Sequence, residues 1–204
     1  MYTPKSNRNE NKSEIIEFVK QNGFGILVST VNGKPWATHL PLVINKGGTN
    51  LSGHLARGNA QWRELNSNEE VLVIFTGPHA YISSSWYDHE NVPTWNYISV
   101  HIYGKIRITE GEEMLTSLKE LTDKYEKDSL KPVTVEGMSE KFLAAEIRGI
   151  VGIQIDITRI ESTFKLSQNR DDKNYKAITK ELEKRKCPFD TEVAQEMKKI
   201  RPLD

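Results

Sequence analysis

The chain has 204 residues, 37% hydrophobic and 27% charged, with 28 Lys+Arg balanced by 28 Asp+Glu. Such values describe a globular protein, and zero net charge leaves no global field to gather nucleic acid or an anionic membrane. One cysteine, Cys187, excludes an internal disulfide, no apolar run approaches the roughly 18 residues of a membrane helix, and the opening MYTPKSNRNENK lacks the apolar core of a secretory signal, so a cytoplasmic protein is expected.

Residues 13–22 have helical spacing, with Ile15, Phe18 and Val19 on one face and Gly23 just past the end. FGILVST then reads as a strand, and Asn32-Gly33 is the signal of a two-residue hairpin. The returning strand PWATHLPLVI carries Pro41, which has no N–H for a ladder; an edge or a bulge is expected there, freeing backbone groups beside His39 to face a ligand. LSGHL is a short strand, ARGNAQWREL a helical turn, and VLVIF a strand buried on both faces. Gly77-Pro78 is expected to break the chain before AYIS.

From residue 98 onward, Ile98, Val100, Ile102, Ile106 and Ile108 alternate with Tyr97, Ser99, His101, Tyr103, Lys105 and Arg107. This period of two predicts a long strand with one aliphatic face, and Tyr97, His101 and Tyr103 pointing away from it toward a partner surface. Residues 111–126 form an amphipathic helix through Met114, Leu115, Leu118 and Leu121. SEKFLAAEI is a further helix, GIQIDITRI a further strand, and the tail from Asp172 two charged helices split at Cys187-Pro188. Hairpins without a βαβ rhythm exclude a doubly wound sheet and favour a small β-barrel with helical additions.

The five histidines, at 39, 54, 79, 89 and 101, show no H-x-x-x-H spacing, so no metal site is expected. G-x-S-x-G and Gly-rich phosphate loops are also missing from the sequence. Three segments instead mix aromatic planes, Gly or Pro, and hydrogen-bond donors: ATHLPL with GHLARGNAQW, GPHAYISSSWY running into VPTWNY, and FKLSQNR. A flat ring with an anionic tail needs these residue types: aromatic walls for the ring, an Arg fork for a phosphate, amides for the ring edge. Equally, Trp36, Trp62, Trp86 and Trp95 would serve as caps on the barrel ends, with Arg57 a solvated cation.

At these segments the sequence resembles the PaiB-type, FMN-binding negative transcriptional regulators. MYTP, ATHLPL, GHLARGNAQW, GPHAYISSSWY, VPTWNY-x-x-VH-x-YG and FKLSQNR occur in the family's order over residues 1–170. The resemblance implies an α+β split β-barrel, mainly antiparallel, over residues 1–170, with residues 171–204 a helical extension packed on the same domain. It also implies a homodimer with FMN at the subunit interface, and repression of protease and sporulation genes. The wider relatives, the pyridoxamine-phosphate-oxidase-like flavoproteins, hold the FMN phosphate from the second strand and the turn after the third. Here those places carry Thr38, His39, Leu40 and Pro41, then His54, Arg57 and Asn59; the oxidases' basic pair on the second strand is not reproduced. Thr94, Trp95 and Asn96 are expected around the isoalloxazine, and Lys165, Ser167, Gln168 and Asn169 to close the same pocket. An FMN-dependent oxidoreductase, and a heme-handling split barrel ligated by His54 or His101, stay open as alternatives. DNA has no recognisable reading motif, since Lys173, Lys176, Lys180 and Lys184 on one helix face are diluted by Glu181 and Glu183.

Overall fold

A computed structural model describes residues 1–65 and 69–202. Six strands form a closed barrel in the order β1-β2-β3-β6-β5-β4: β1 (Phe24–Val31), β2 (Lys34–Ile44), β3 (Asn50–Ala56), β4 (Glu70–Ile82), β5 (Thr94–Thr109) and β6 (Ile150–Lys165). Among the described residues five α-helices accompany them: α1 (Lys12–Gln21), α2 (Gly111–Glu126), α3 (Glu140–Arg148), α4 (Asp172–Arg185) and α5 (Pro188–Ile200). The architecture is an α+β split barrel.

The chain resolves into two compact units, neither continuous in sequence. One comprises residues 12–75 and 101–160; the other comprises residues 1–11, 76–100 and 161–204. β4, β5 and β6 are long enough to contribute residues to both.

The first unit holds β1–β3, α1, α2 and α3. Asn32 and Gly33 take positive φ, 52° and 71°, the pair of values a two-residue type I′ hairpin requires, and close β1 onto β2. Leu27, Leu42, Leu51, Ile102, Ile153 and Ile155 are fully buried, each contributing about 1.5–3 kcal/mol through removal from water. The second unit is organised by α4 and α5, which bury Tyr175, Ile178, Leu182, Val193, Ala194 and Met197. The Tyr175 hydroxyl donates to the Met197 carbonyl at 2.8 Å, and burial pushes its pKa up to about 12.

Two expectations are corrected. Gly77-Pro78 does not end a strand: β4 runs through it, but burial changes phase, from Val71, Val73 and Phe75 to Pro78, Ala80 and Ile82. A one-residue slip of the kind a bulge produces lets the strand keep its buried face across a proline. On β5 the alternation runs from Asn96 to Ile106 except at Ser99, which is buried between Ile98 and Val100, and then slips, leaving Ile108 half-buried and Thr109 buried. Tyr97, His101 and Tyr103 are half-buried rather than displayed, and Arg159 lies 3.9 Å from the centre of the Tyr103 ring.

Candidate functional site

Within the first unit, β2 and β3 part company. β1 pairs with β2 along residues 24–31 and 34–41, whereas β2 and β3 share only Leu42↔Gly53, Val43↔Ser52 and Ile44↔Leu51. Beyond Gly53, β3 continues against β6 through His54↔Gly152 and Ala56↔Ile150. The result is a split, with Pro41 where the strands diverge. Gly53 faces Leu42 at that point, and a Cβ on it would meet Leu42 Cδ2 at 2.7 Å and the Pro41 carbonyl oxygen at 2.9 Å.

The Leu42 N–H donates to the Gly23 carbonyl at 2.8 Å, which fixes the ladder's phase. Leu40, Thr38, Trp36 and Lys34 therefore turn their backbone groups to β1, and Pro41, His39, Ala37 and Pro35 turn theirs to the open edge. Two of these four are prolines, so the edge offers the N–H groups of Ala37 and His39 only.

The turn after β3 closes over this split. Asn59 donates its side-chain amide to the Thr38 hydroxyl at 2.8 Å, and its side-chain oxygen accepts from the Gln61 N–H at 3.0 Å, capping a short 3-10 helix over Ala60–Glu64. Gln61, fully buried, donates to the Ser29 hydroxyl at 2.9 Å and the Leu27 carbonyl at 3.3 Å. Arg57 uses Nε and one Nη2 hydrogen on the carbonyls of Arg148 and Ile150, both at 2.8 Å. Its guanidinium sits 5.8 Å from the Trp62 ring centre, while the Trp62 indole N–H donates to the Arg57 carbonyl at 2.8 Å. A guanidinium has five N–H donors, so three stay available for an anion.

The structure divides the residues expected on one phosphate. Thr38 shares the inward-facing register of Leu40 and Leu42, with Leu27 as its cross-strand partner, and is joined to Asn59. His39 lies on the opposite face, stacked on Phe24 with ring centres 6.2 Å apart. His54 is also on the outer face of β3, opposite Gly152, with Nδ1 buried and without a hydrogen-bond partner among the described residues. Burial lowers its pKa. Leu40 is buried in the core, so only its backbone is at issue. Thr38 and Asn59 thus form one hydrogen-bonded pair, the Arg57 guanidinium lies on the carbonyls of Arg148 and Ile150, and the His54 Nδ1 is a separate donor or acceptor.

The other expected set falls in the second unit. Trp95 is 52% exposed, with Tyr81 edge-on at 5.9 Å and His79 at 6.1 Å, and His79 in turn lies 4.8 Å from Phe189. It is therefore a surface ring and not a barrel plug. Asn96 is fully buried and exchanges hydrogen bonds with Ser167 at 3.0 and 3.1 Å, so neither side chain is presented to solvent. Gln168 folds onto its own loop, accepting from the Leu166 N–H at 2.7 Å and donating to the Phe164 carbonyl at 2.5 Å. Lys165 donates to the Thr94 hydroxyl at 2.5 Å, and Asn169 is exposed. Among the described residues, Lys173 pairs with Asp88 and Lys184 with Glu181, which neutralises two of the four lysines on the α4 face.

Sequence reasoning did not single out Gln61 or Ser29. The Asn59-x-Gln61 spacing was their only signal, an Asn positioned to cap the next turn.

A family model described as "Putative FMN-binding domain" matches residues 1–159. Protease synthase and sporulation protein PAI 2 of Bacillus subtilis (strain 168) is 46% identical over 199 residues, covering 97% of this chain and 96% of that protein. Uncharacterized protein YKL070W of Saccharomyces cerevisiae is 31% identical over 137 residues, covering 60% of this chain and 81% of that protein. Among solved structures, conserved hypothetical protein Rv2991 of Mycobacterium tuberculosis aligns with a TM-score of 0.61 at 16% identity, over 84% of this chain and 94% of that one. The FAD and heme binding protein of Mycobacterium smegmatis aligns with a TM-score of 0.59 at 14% identity, over 78% of this chain and 73% of that one. At such identities the likeness is one of fold.

Proposed function

The chain belongs to the family described as "Putative FMN-binding domain", and on that premise we propose that it is an FMN-binding negative regulator of transcription of the PaiB type. Its targets are protease and sporulation genes, in keeping with the name of its 46% identical Bacillus subtilis relative. FMN supplies a redox-active ring when bound. The observation that carries the reading is the 2.8 Å Asn59–Thr38 hydrogen bond, which joins the second strand to the turn after the third. Those are the two segments from which wider relatives grip the phosphate. In this reading Arg57 holds the phosphate through its free N–H groups, with the Thr38 hydroxyl and Asn59 beside it. The protein acts as a cytoplasmic homodimer, and the exposed ring of Trp95 walls the isoalloxazine of FMN held by a second subunit.

A second reading, an FMN-dependent oxidoreductase with an indirect effect on transcription, is favoured by one feature. Ion pairs to Asp88 and Glu181 neutralise Lys173 and Lys184 on the α4 face that would have to meet DNA phosphates.

The test is a pair of titrations monitored by flavin fluorescence, FMN against riboflavin, combined with deletion of the gene in its host. The regulator reading expects FMN to bind at least about 10-fold more tightly than riboflavin, the gain from a charge-assisted phosphate contact. It also expects secreted protease to rise on deletion. Equal affinity for the two flavins removes the phosphate site, and unchanged protease output removes the regulatory role.

A further inference from the structure

We propose that the second unit carries an anion site of its own, formed by Lys165 and Arg170, for a phosphate dianion or a phosphate monoester. Most cations of this unit face a carboxylate: Lys173 meets Asp88, Arg185 meets Asp190 and Arg201 meets Asp172, while Lys198 and Lys199 meet Glu183 and Glu196. Lys165 and Arg170 make no ion pair among the described residues, yet both are half-buried. The other cations of the unit without an ion pair, Lys5, Lys180 and Lys186, lie exposed in water, where a lone charge costs little.

Lys165 and Arg170 also act on each other. Burial and the Arg170 charge both lower the Lys165 pKa. Two partly desolvated like charges without a counterion raise the energy of the empty state, and an anion reverses that term.

The donors are ready-made. Lys165 Nζ donates to Thr94 Oγ1 at 2.5 Å, which leaves two ammonium hydrogens and the hydroxyl hydrogen free. The Arg170 guanidinium lies 5.0 Å from the centre of the Tyr87 ring, and the buried Tyr87 hydroxyl has no hydrogen-bond partner among the described residues. The backbone between the two cations is a locked turn. Ser167 adopts φ +59°, the Arg170 N–H donates to the Ser167 carbonyl at 3.0 Å, and Arg201 donates to the carbonyls of Gln168 and Arg170 at 2.8 and 2.9 Å. A backbone fixed in this way lowers the ordering cost of binding. Charge selects the ligand: two cations match a phosphate group, which carries about −1.5 to −2 at neutral pH, better than a carboxylate of charge −1.

This inference does not depend on the flavin reading, and its test is built to keep the two apart. Thermal unfolding is followed in the Arg57→Ala background, with inorganic phosphate or acetate at equal ionic strength. Phosphate is expected to raise the melting midpoint more than acetate does. Lys165→Met and Arg170→Gln are each expected to weaken the response to phosphate about 10-fold or more. Without phosphate at low salt, both are expected to melt no earlier than their parent, since each removes a like-charge repulsion. If either melts early, Lys165→Arg, which keeps the charge, must respond as the parent does. Equal responses to phosphate and acetate, or variants that respond like the parent, overturn the site. A Lys165→Met chain, with Arg57 intact, that loses FMN but not riboflavin overturns it too, because the pair would then serve the cofactor's own phosphate.

Discussion

The Asn59 side-chain amide donates to the Thr38 hydroxyl at 2.8 Å across the gap where β2 and β3 no longer pair. One asparagine thereby fixes the strand, and through its oxygen also caps the short helix that carries Trp62, just after Arg57. Asn59→Ala removes both bonds, each worth about 0.5–1.5 kcal/mol. Calorimetry should show a lower melting midpoint, and flavin titration a weaker grip on FMN than on riboflavin relative to wild type. If neither quantity moves, the contact has no part in the site.

Arg57 has two tasks that separate experimentally. It clamps the carbonyls of Arg148 and Ile150, and its remaining donors are assigned to the phosphate. Arg57→Ala should weaken FMN by about 10- to 150-fold, the range for losing a charge-assisted contact, while riboflavin affinity changes little. Arg57→Lys keeps a charge but not the fork, and should recover only part of the loss. Parallel losses for FMN and riboflavin would confine Arg57 to its structural clamp.

Asn96 was expected on the flavin's polar edge, and its burial against Ser167 gives it a different consequence. Asn96→Ala leaves the Ser167 hydroxyl buried without its partner, a cost of about 1–3 kcal/mol. Urea unfolding should record that loss, while the folded fraction binds FMN as wild type does. A variant of wild-type stability with weakened FMN binding would return Asn96 to the pocket.

His54 predicts a pH dependence with a definite sign. Burial holds its pKa below the ordinary 6.5, so the folded chain keeps the ring neutral while the unfolded chain takes up a proton. Stability from this group is complete above pH 6.5 and is lost as pH falls through the lowered folded value. His54→Gln should therefore narrow the difference in melting midpoint measured between about pH 7.5 and pH 5.5, the range in which histidine titrates. An unchanged difference would mean that His54 is not the titrating group.

Much of the fold is legible in the residues, because it follows from patterns shorter than an element. Asn32-Gly33 dictates its hairpin, Pro41 marks the end of β2–β3 pairing, and residues 111–126 form the expected helix. The misreading at Gly77-Pro78 arose because a proline tolerated in a strand through a phase slip has the same local signature as a break. The site was less legible. Sequence brings Thr38 and His39 together, but neighbours on a strand face opposite ways, and only one of them can join Asn59. Likewise KLSQN is rich in donors, and nothing in its composition says that Gln168 and Ser167 satisfy their own loop and Asn96 rather than a ligand. Trp95 is a surface ring, so if it walls the flavin as proposed, Trp95→Ala should cost flavin affinity with little loss of stability.

The most direct measurement is the visible absorption spectrum of the wild-type protein after mixing with FMN and removal of free flavin by gel filtration. The account predicts that the protein fraction retains the two visible bands of bound flavin, and that riboflavin treated identically is washed away. A protein fraction without flavin bands, or one dominated by the single intense band of heme, would contradict it.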